Sequence, residues 1–67
     1  MLIRYKGEPC FSFIVGKTYK AKKIYDELGE AWAIFDEGYD WYRYGVRFVA
    51  ENFEEVTENE QEIRHAV

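Results

Sequence analysis

The reactive side chains of this sequence are few and scattered. It has one cysteine, Cys10, and one histidine, His65, at opposite ends. General acid–base catalysis needs titratable groups gathered in a cleft, most often with a histidine among them. His65 sits in the C-terminal tail, outside the expected domain. There is no nucleophile motif, no glycine-rich phosphate loop and no spacing of metal ligands. One Cys and one His fall short of a structural zinc site, and a single Cys forms no internal disulfide. Cys10 reads as a small apolar residue of a loop or core. The carboxylates Asp36, Glu37 and Asp40 lie close together around Gly38 and read as a solvated hairpin turn. These observations predict a protein without catalytic residues, metal or cofactor.

What chemistry remains belongs to rings and cations. Tyr39, Trp41, Tyr42 and Tyr44 alternate along one segment, so half of them must point away from any core. An exposed Trp beside Arg43 is the kind of anchor that dominates interfaces. Trp32, Tyr39, Trp41 and Arg43 are therefore the candidate protein-binding residues; the competing reading is that the rings plug the ends of a small barrel. Lys17, Lys20 and Lys22 form the alternative, a nucleic-acid-binding strand with aromatic stacking nearby. Lys20 and Lys22 share a face, but protection of a strand edge explains them as well. Phosphate binding depends on Lys and Arg, and the formal net charge is −4, from 13 acidic and 9 basic residues. Nucleic acid is thus the disfavoured partner, and another protein or a second copy the expected one. The carboxylates Glu51, Glu54, Glu55, Glu58, Glu60 and Glu62 read as a solvated face and tail. No apolar run approaches the ~20 residues of a membrane helix. Arg4 and Lys6 interrupt the first apolar stretch, so no signal peptide is expected. With a lone thiol, this fits a reducing cytoplasm.

Short strands must position these residues. The chain of 67 residues has room for one domain, which buries only about 60% of its unfolded surface. Without disulfide or metal it must rest on apolar packing, and aromatics at 19% of residues are the material for it. Period-two patterning and turn signals predict strands near 2–5, 17–25, 30–36, 39–45 and 53–56. In the third, Ala31, Ala33 and Phe35 oppose Trp32 and Ile34, so both faces are apolar and the strand should be covered on both sides. The stretch from Val46 to Asn52 suits a single 3₁₀ turn. Residues 1–56 form the domain. Residues 57–67 form an acidic tail or a short helix, the latter started by the capping box Thr57–Glu60. Five short strands in so few residues favour a closed or nearly closed barrel, which leaves the fewest free edges.

The order of elements resembles an SH3-like barrel. The carriers are Phe11-Ser12-Phe13-Ile14-Val15-Gly16-Lys17-Thr18-Tyr19, where an apolar residue precedes the glycine and charged residue that open the second strand, and Phe48 to Val56, where a 3₁₀ turn leads into the last strand. With Ile34-x-Asp36-Glu37 and Tyr42-x-Tyr44, the layout over residues 2–56 is similar to the short SH3-like barrel proteins of bacteria and their phages. The resemblance implies an all-β, five-stranded barrel and an interaction role. The best-known activity of that fold, binding proline-rich peptides in an aromatic groove, does not transfer residue by residue. Ala50 stands where the groove proline would be and Phe53 where its tyrosine would be. Asn52 is retained, the paired tryptophans are represented only by Trp32 after Ala31, and the acidic loop keeps little beyond Glu8.

Overall fold

The computed structural model describes residues 1–57. The tail or helix expected over 57–67 therefore lies, from residue 58 onward, outside the described residues, as does His65. The elements are β1 (Leu2–Tyr5), β2 (Thr18–Asp26), β3 (Gly29–Phe35), β4 (Trp41–Gly45), α1 (Val46–Asn52) and β5 (Phe53–Val56). All strands are antiparallel in one sheet, ordered β4-β3-β2-β1-β5. The long strand β2 joins two halves: Thr18–Lys20 pair with β1 and Ala21–Asp26 with β3. β1 lies between β2 and β5, with Ile3 opposite both Tyr19 and Glu55.

Two expectations are corrected. The sheet is open: β4 and β5 are its edges, and no pairing joins them among the described residues. The segment between them is a seven-residue α-helix rather than a 3₁₀ turn. Val46, Val49, Ala50 and Phe53 recur at helical spacing, Val49 is buried, and Arg47 pairs with Glu51 one turn on. Asn52 Nδ2 donates to the Phe48 carbonyl at 2.9 Å, which steadies the helix end. This helix, with the long loop 6–17, fills the gap that a closed barrel would seal with hydrogen bonds.

Loop 6–17 is tied at both ends. The Tyr5 amide donates to Lys17 O (3.0 Å), Gly16 N–H to Tyr5 O (2.8 Å) and Lys6 N–H to Asn52 O (2.8 Å). Gly16, with φ of 87°, makes the reversal before β2. The loop sends Phe13 into the centre of the core, where it is 1% exposed. Its ring centroid lies 5.1 Å from those of Tyr5, Tyr19 and Tyr44, 4.9 Å from that of Phe53 and 6.4 Å from that of Phe48. Ile3, Ala21, Ile34 and Val49 complete this core, and Trp32 and Tyr44 pack against it. β3 is buried on both faces as its sequence predicts, by Ile34 inside and Ala31 and Ala33 outside.

The β3–β4 turn is longer than expected, and β4 starts at Trp41 rather than Tyr39. Asp36 accepts twice, from the Gly38 amide on Oδ1 (2.8 Å) and from the Tyr39 amide on its carbonyl (3.0 Å). Tyr39 is driven to φ of 58°, a left-handed conformation that strand pairing does not permit.

Candidate interaction surface

The outer face of the sheet is built on small residues. Ala31 and Ala33 in β3 let longer neighbours lie flat across them. Arg43, opposite Ala33, reaches over to Asp26, with Nε 2.5 Å from Oδ2 and a second nitrogen 3.2 Å from Oδ1. This two-pronged contact is the stronger form of ion pair, and the guanidinium holds the Asp26 carboxyl below its ordinary range. Trp41, opposite Phe35, meets it edge-on at 5.6 Å, and Tyr39 adds to the same cluster 6.5 Å from Phe35. Lys22 sits with its ammonium 4.6 Å from the Trp41 ring centroid, a cation–π distance.

The structure thus brings Tyr39, Trp41 and Arg43 to one face, with Lys22 among them. Trp32 is not with them. It pairs with Tyr44 and Lys23 on the opposite face and packs against the core, while Lys23 covers its ring at 5.1 Å. Lys17 lines a cleft with Lys20, but its ammonium is held by Glu37, 2.7 Å away. That contact, with a 2.6 Å hydrogen bond from the Tyr19 hydroxyl, holds the Glu37 carboxyl below its usual range.

A second surface lies on the inner side of β4, where the open sheet leaves room. Loop 6–17 and the β3–β4 turn face each other across a groove of ≈ 490 Å³, lined by Phe11, Ser12, Asp36, Gly38, Tyr42 and Tyr44 together with Arg43. The loop is fastened to the turn twice. The Glu37 amide donates to Ser12 O at 3.0 Å, and Tyr19 OH accepts from the Ile14 amide at 2.7 Å while donating to Glu37. Tyr44 forms the floor. Its hydroxyl donates to Asp36 Oδ2 at 2.6 Å and bonds to Ser12, and Phe48 stacks on its ring at 5.5 Å. Burial, and then the Asp36 carboxylate, push the Tyr44 hydroxyl up to about 12.

Asp36 is only 6% exposed. The solvated-turn reading of this residue is therefore corrected: its carboxylate is drawn inward because the Gly38 amide and the Tyr44 hydroxyl both need an acceptor there. The rim is apolar. Phe11 is fully exposed, and Tyr42 is 52% exposed.

Among the described residues, no group of three or more His, Cys, Asp or Glu side chains is placed to hold a metal ion. No helix among them is long and apolar enough to cross a membrane. No protein-family model, curated protein or solved structure matches the chain.

Proposed function

We propose that this chain is a small, non-enzymatic interaction module of the SH3-like type, which receives an extended segment of a partner protein in the groove between loop 6–17 and β4. Support for the fold part comes from the strand order, with a long second strand shared between two halves of the sheet and a helical turn before the last strand. Support for the function comes above all from Phe11. Its ring is fully exposed, so it contributes almost nothing to the apolar burial that stabilises the folded chain. Yet the backbone beside it is tethered, with the Ser12 carbonyl accepting from the Glu37 amide and the buried Phe13 two residues on. An exposed ring on a tethered loop, beside a half-exposed tyrosine, gives a partner apolar area with the backbone already ordered. The groove is open and shallow, which suits an extended chain better than an enclosed small molecule.

The nucleic-acid reading has less behind it. Lys17 is committed to Glu37 and Lys22 to Trp41, and the net charge repels phosphate.

Selection of a random peptide-display library on the purified chain tests the proposal. Wild type should enrich a recurrent sequence, and a Phe11→Ala/Tyr42→Ala double variant that melts like wild type should not. No enrichment on wild type, or enrichment that survives the double substitution, would overturn it.

A further inference from the structure

The groove contains a buried carboxylate without a cation. Asp36 lines it and is more than nine-tenths buried, and among the described residues its carboxylate accepts from two neutral groups, the Gly38 amide and the Tyr44 hydroxyl. The ion pairs among the described residues are Arg4–Glu54, Lys17–Glu37, Lys23–Glu30, Arg43–Asp26 and Arg47–Glu51, and none of them includes Asp36. Among the described residues Arg43 is the one basic residue lining the groove, and its guanidinium is drawn across the other face of the sheet to Asp26. A buried charge is costly unless paired. Here two neutral donors, one on each carboxylate oxygen, offset part of that cost without supplying a positive charge.

The rings around it favour a cation too. Phe11 and Tyr42 present faces whose quadrupole attracts ammonium and guanidinium groups. The aliphatic stem of an arginine or lysine would lie against the rings while its head reached the carboxylate.

We infer that the groove selects a partner segment carrying an arginine or lysine side chain, whose cationic head pairs with Asp36 between Phe11 and Tyr42. This rests on the groove reading above and adds the chemistry of its occupant. It places the recognised charge on the partner, since none of the ion pairs among the described residues includes Asp36.

Three blocked ten-residue peptides test it, built of serine alternating with arginine, with glutamine or with glutamate, each titrated into the ¹⁵N-labelled full chain. The arginine peptide should shift the amides of Ser12, Gly38 and Tyr42, and the glutamine and glutamate peptides should not. Asp36→Asn keeps an acceptor for Gly38 and a partner for the Tyr44 hydroxyl, and should weaken binding on the order of tenfold. Glu55→Gln removes the same unit of charge from the exposed face of β5 and should leave binding within about twofold, since a distant exposed charge is largely screened. Should Asp36→Asn fail to fold, Tyr42→Ala replaces it, with a loss of similar size expected.

Equal binding of the glutamine peptide at the groove would overturn the cation inference and leave the groove reading standing. Equal losses in Asp36→Asn and Glu55→Gln, or shifts spread over the acidic surface, would reduce the effect to net charge and overturn it. No shifts at the groove with any peptide, or a sedimenting dimer whose interface covers Phe11 and Tyr42, would overturn it as well; the display selection then decides separately whether the groove binds any peptide.

Discussion

Phe13 belongs to a loop, yet the structure makes it the residue on which the fold depends most. Replacing it by alanine removes a ring that is 1% exposed and touches Tyr5, Tyr19, Tyr44, Phe48 and Phe53. Buried Phe→Ala changes cost about 3–5 kcal/mol, through lost transfer energy and the cavity left behind. The high end applies here, because rings from both halves of the sheet, from α1 and from the loop meet at this side chain, and collapse of any one would drag the others. A domain of 67 residues has a total stability of about 3–10 kcal/mol. Phe13→Ala should therefore remove a third or more of it and often all. Near the melting temperature 1 kcal/mol corresponds to roughly 4–8 °C in a domain of this size, so the midpoint should fall by at least about 12 °C, or the transition should vanish. Phe13→Leu, which keeps most of the volume, should cost about 1.5 kcal/mol or less. Circular dichroism melts and urea titrations of the three proteins are sufficient. A Phe13→Ala variant melting within about 5 °C of wild type would refute the claim that this loop residue closes the open side of the sheet.

Three further outcomes follow from the same structure. Burial and the carboxylates of Glu37 and Asp36 raise the Tyr19 and Tyr44 hydroxyls to about 12, against about 10 when unfolded; their contribution to stability is complete below pH 10 and is lost as pH rises from 10 towards 12. Absorbance at 295 nm should show Tyr19 and Tyr44 ionising near pH 12, with the Tyr5 hydroxyl also raised by burial, and Tyr44→Phe should remove its own share and flatten part of the alkaline decline. Gly29 closes the β2–β3 hairpin at φ of 104°, so Gly29→Ala should destabilise by about 1 kcal/mol, read as a lower urea midpoint with unchanged slope. Ala31 has no exposed surface beneath the Arg43–Asp26 pair, and Ala31→Leu should cost about 1–3 kcal/mol by overpacking, with loss of the low Asp26 pKa visible in a carboxyl NMR titration.

Period-two patterning is a backbone property, and it made the strands legible to within one or two residues. It also made their faces legible: Ala31, Ala33, Phe35, Trp41 and Arg43 do oppose Trp32, Ile34, Tyr42 and Tyr44. Three features were hidden for separate reasons. Val46–Asn52 is short and carries the helical signal in only Val46, Val49 and Ala50 before Phe53, so seven residues could be read as a tighter turn. Tyr39 looked like a strand residue because its left-handed conformation is imposed by hydrogen bonds to Asp36, which depend on where the turn packs. Asp36 looked solvated because what buries it, Ser12 and Tyr44, comes from other parts of the chain. Trp32 was grouped with Trp41 by residue type, although the parity of the strand pairing places them on opposite faces.

Closure by a loop rather than by strand pairing links stability to binding in a way that can be taken apart. Phe11 and Phe13 are two residues apart, and in a straight extended chain they would share a face; the bend at Phe11 and Ser12 breaks that alternation, so one ring is exposed and the other buried. Burial of Phe13 in the core is what holds Phe11 outside, on the rim of the groove. A barrel sealed by β4–β5 hydrogen bonds would need no such plug and would leave the loop free to move. The two rings should therefore fail differently. Phe11→Ala exposes no cavity and breaks no buried contact, so its melting curve should stay within about 0.5 kcal/mol of wild type while peptide binding is lost. Phe13→Leu should keep the fold but loosen the anchor, weakening binding through the position of Phe11 rather than through any contact of its own. If Phe13→Leu melted lower yet bound as tightly as wild type, the loop would be placing Phe11 without help from the core, and the coupling argued here would be wrong.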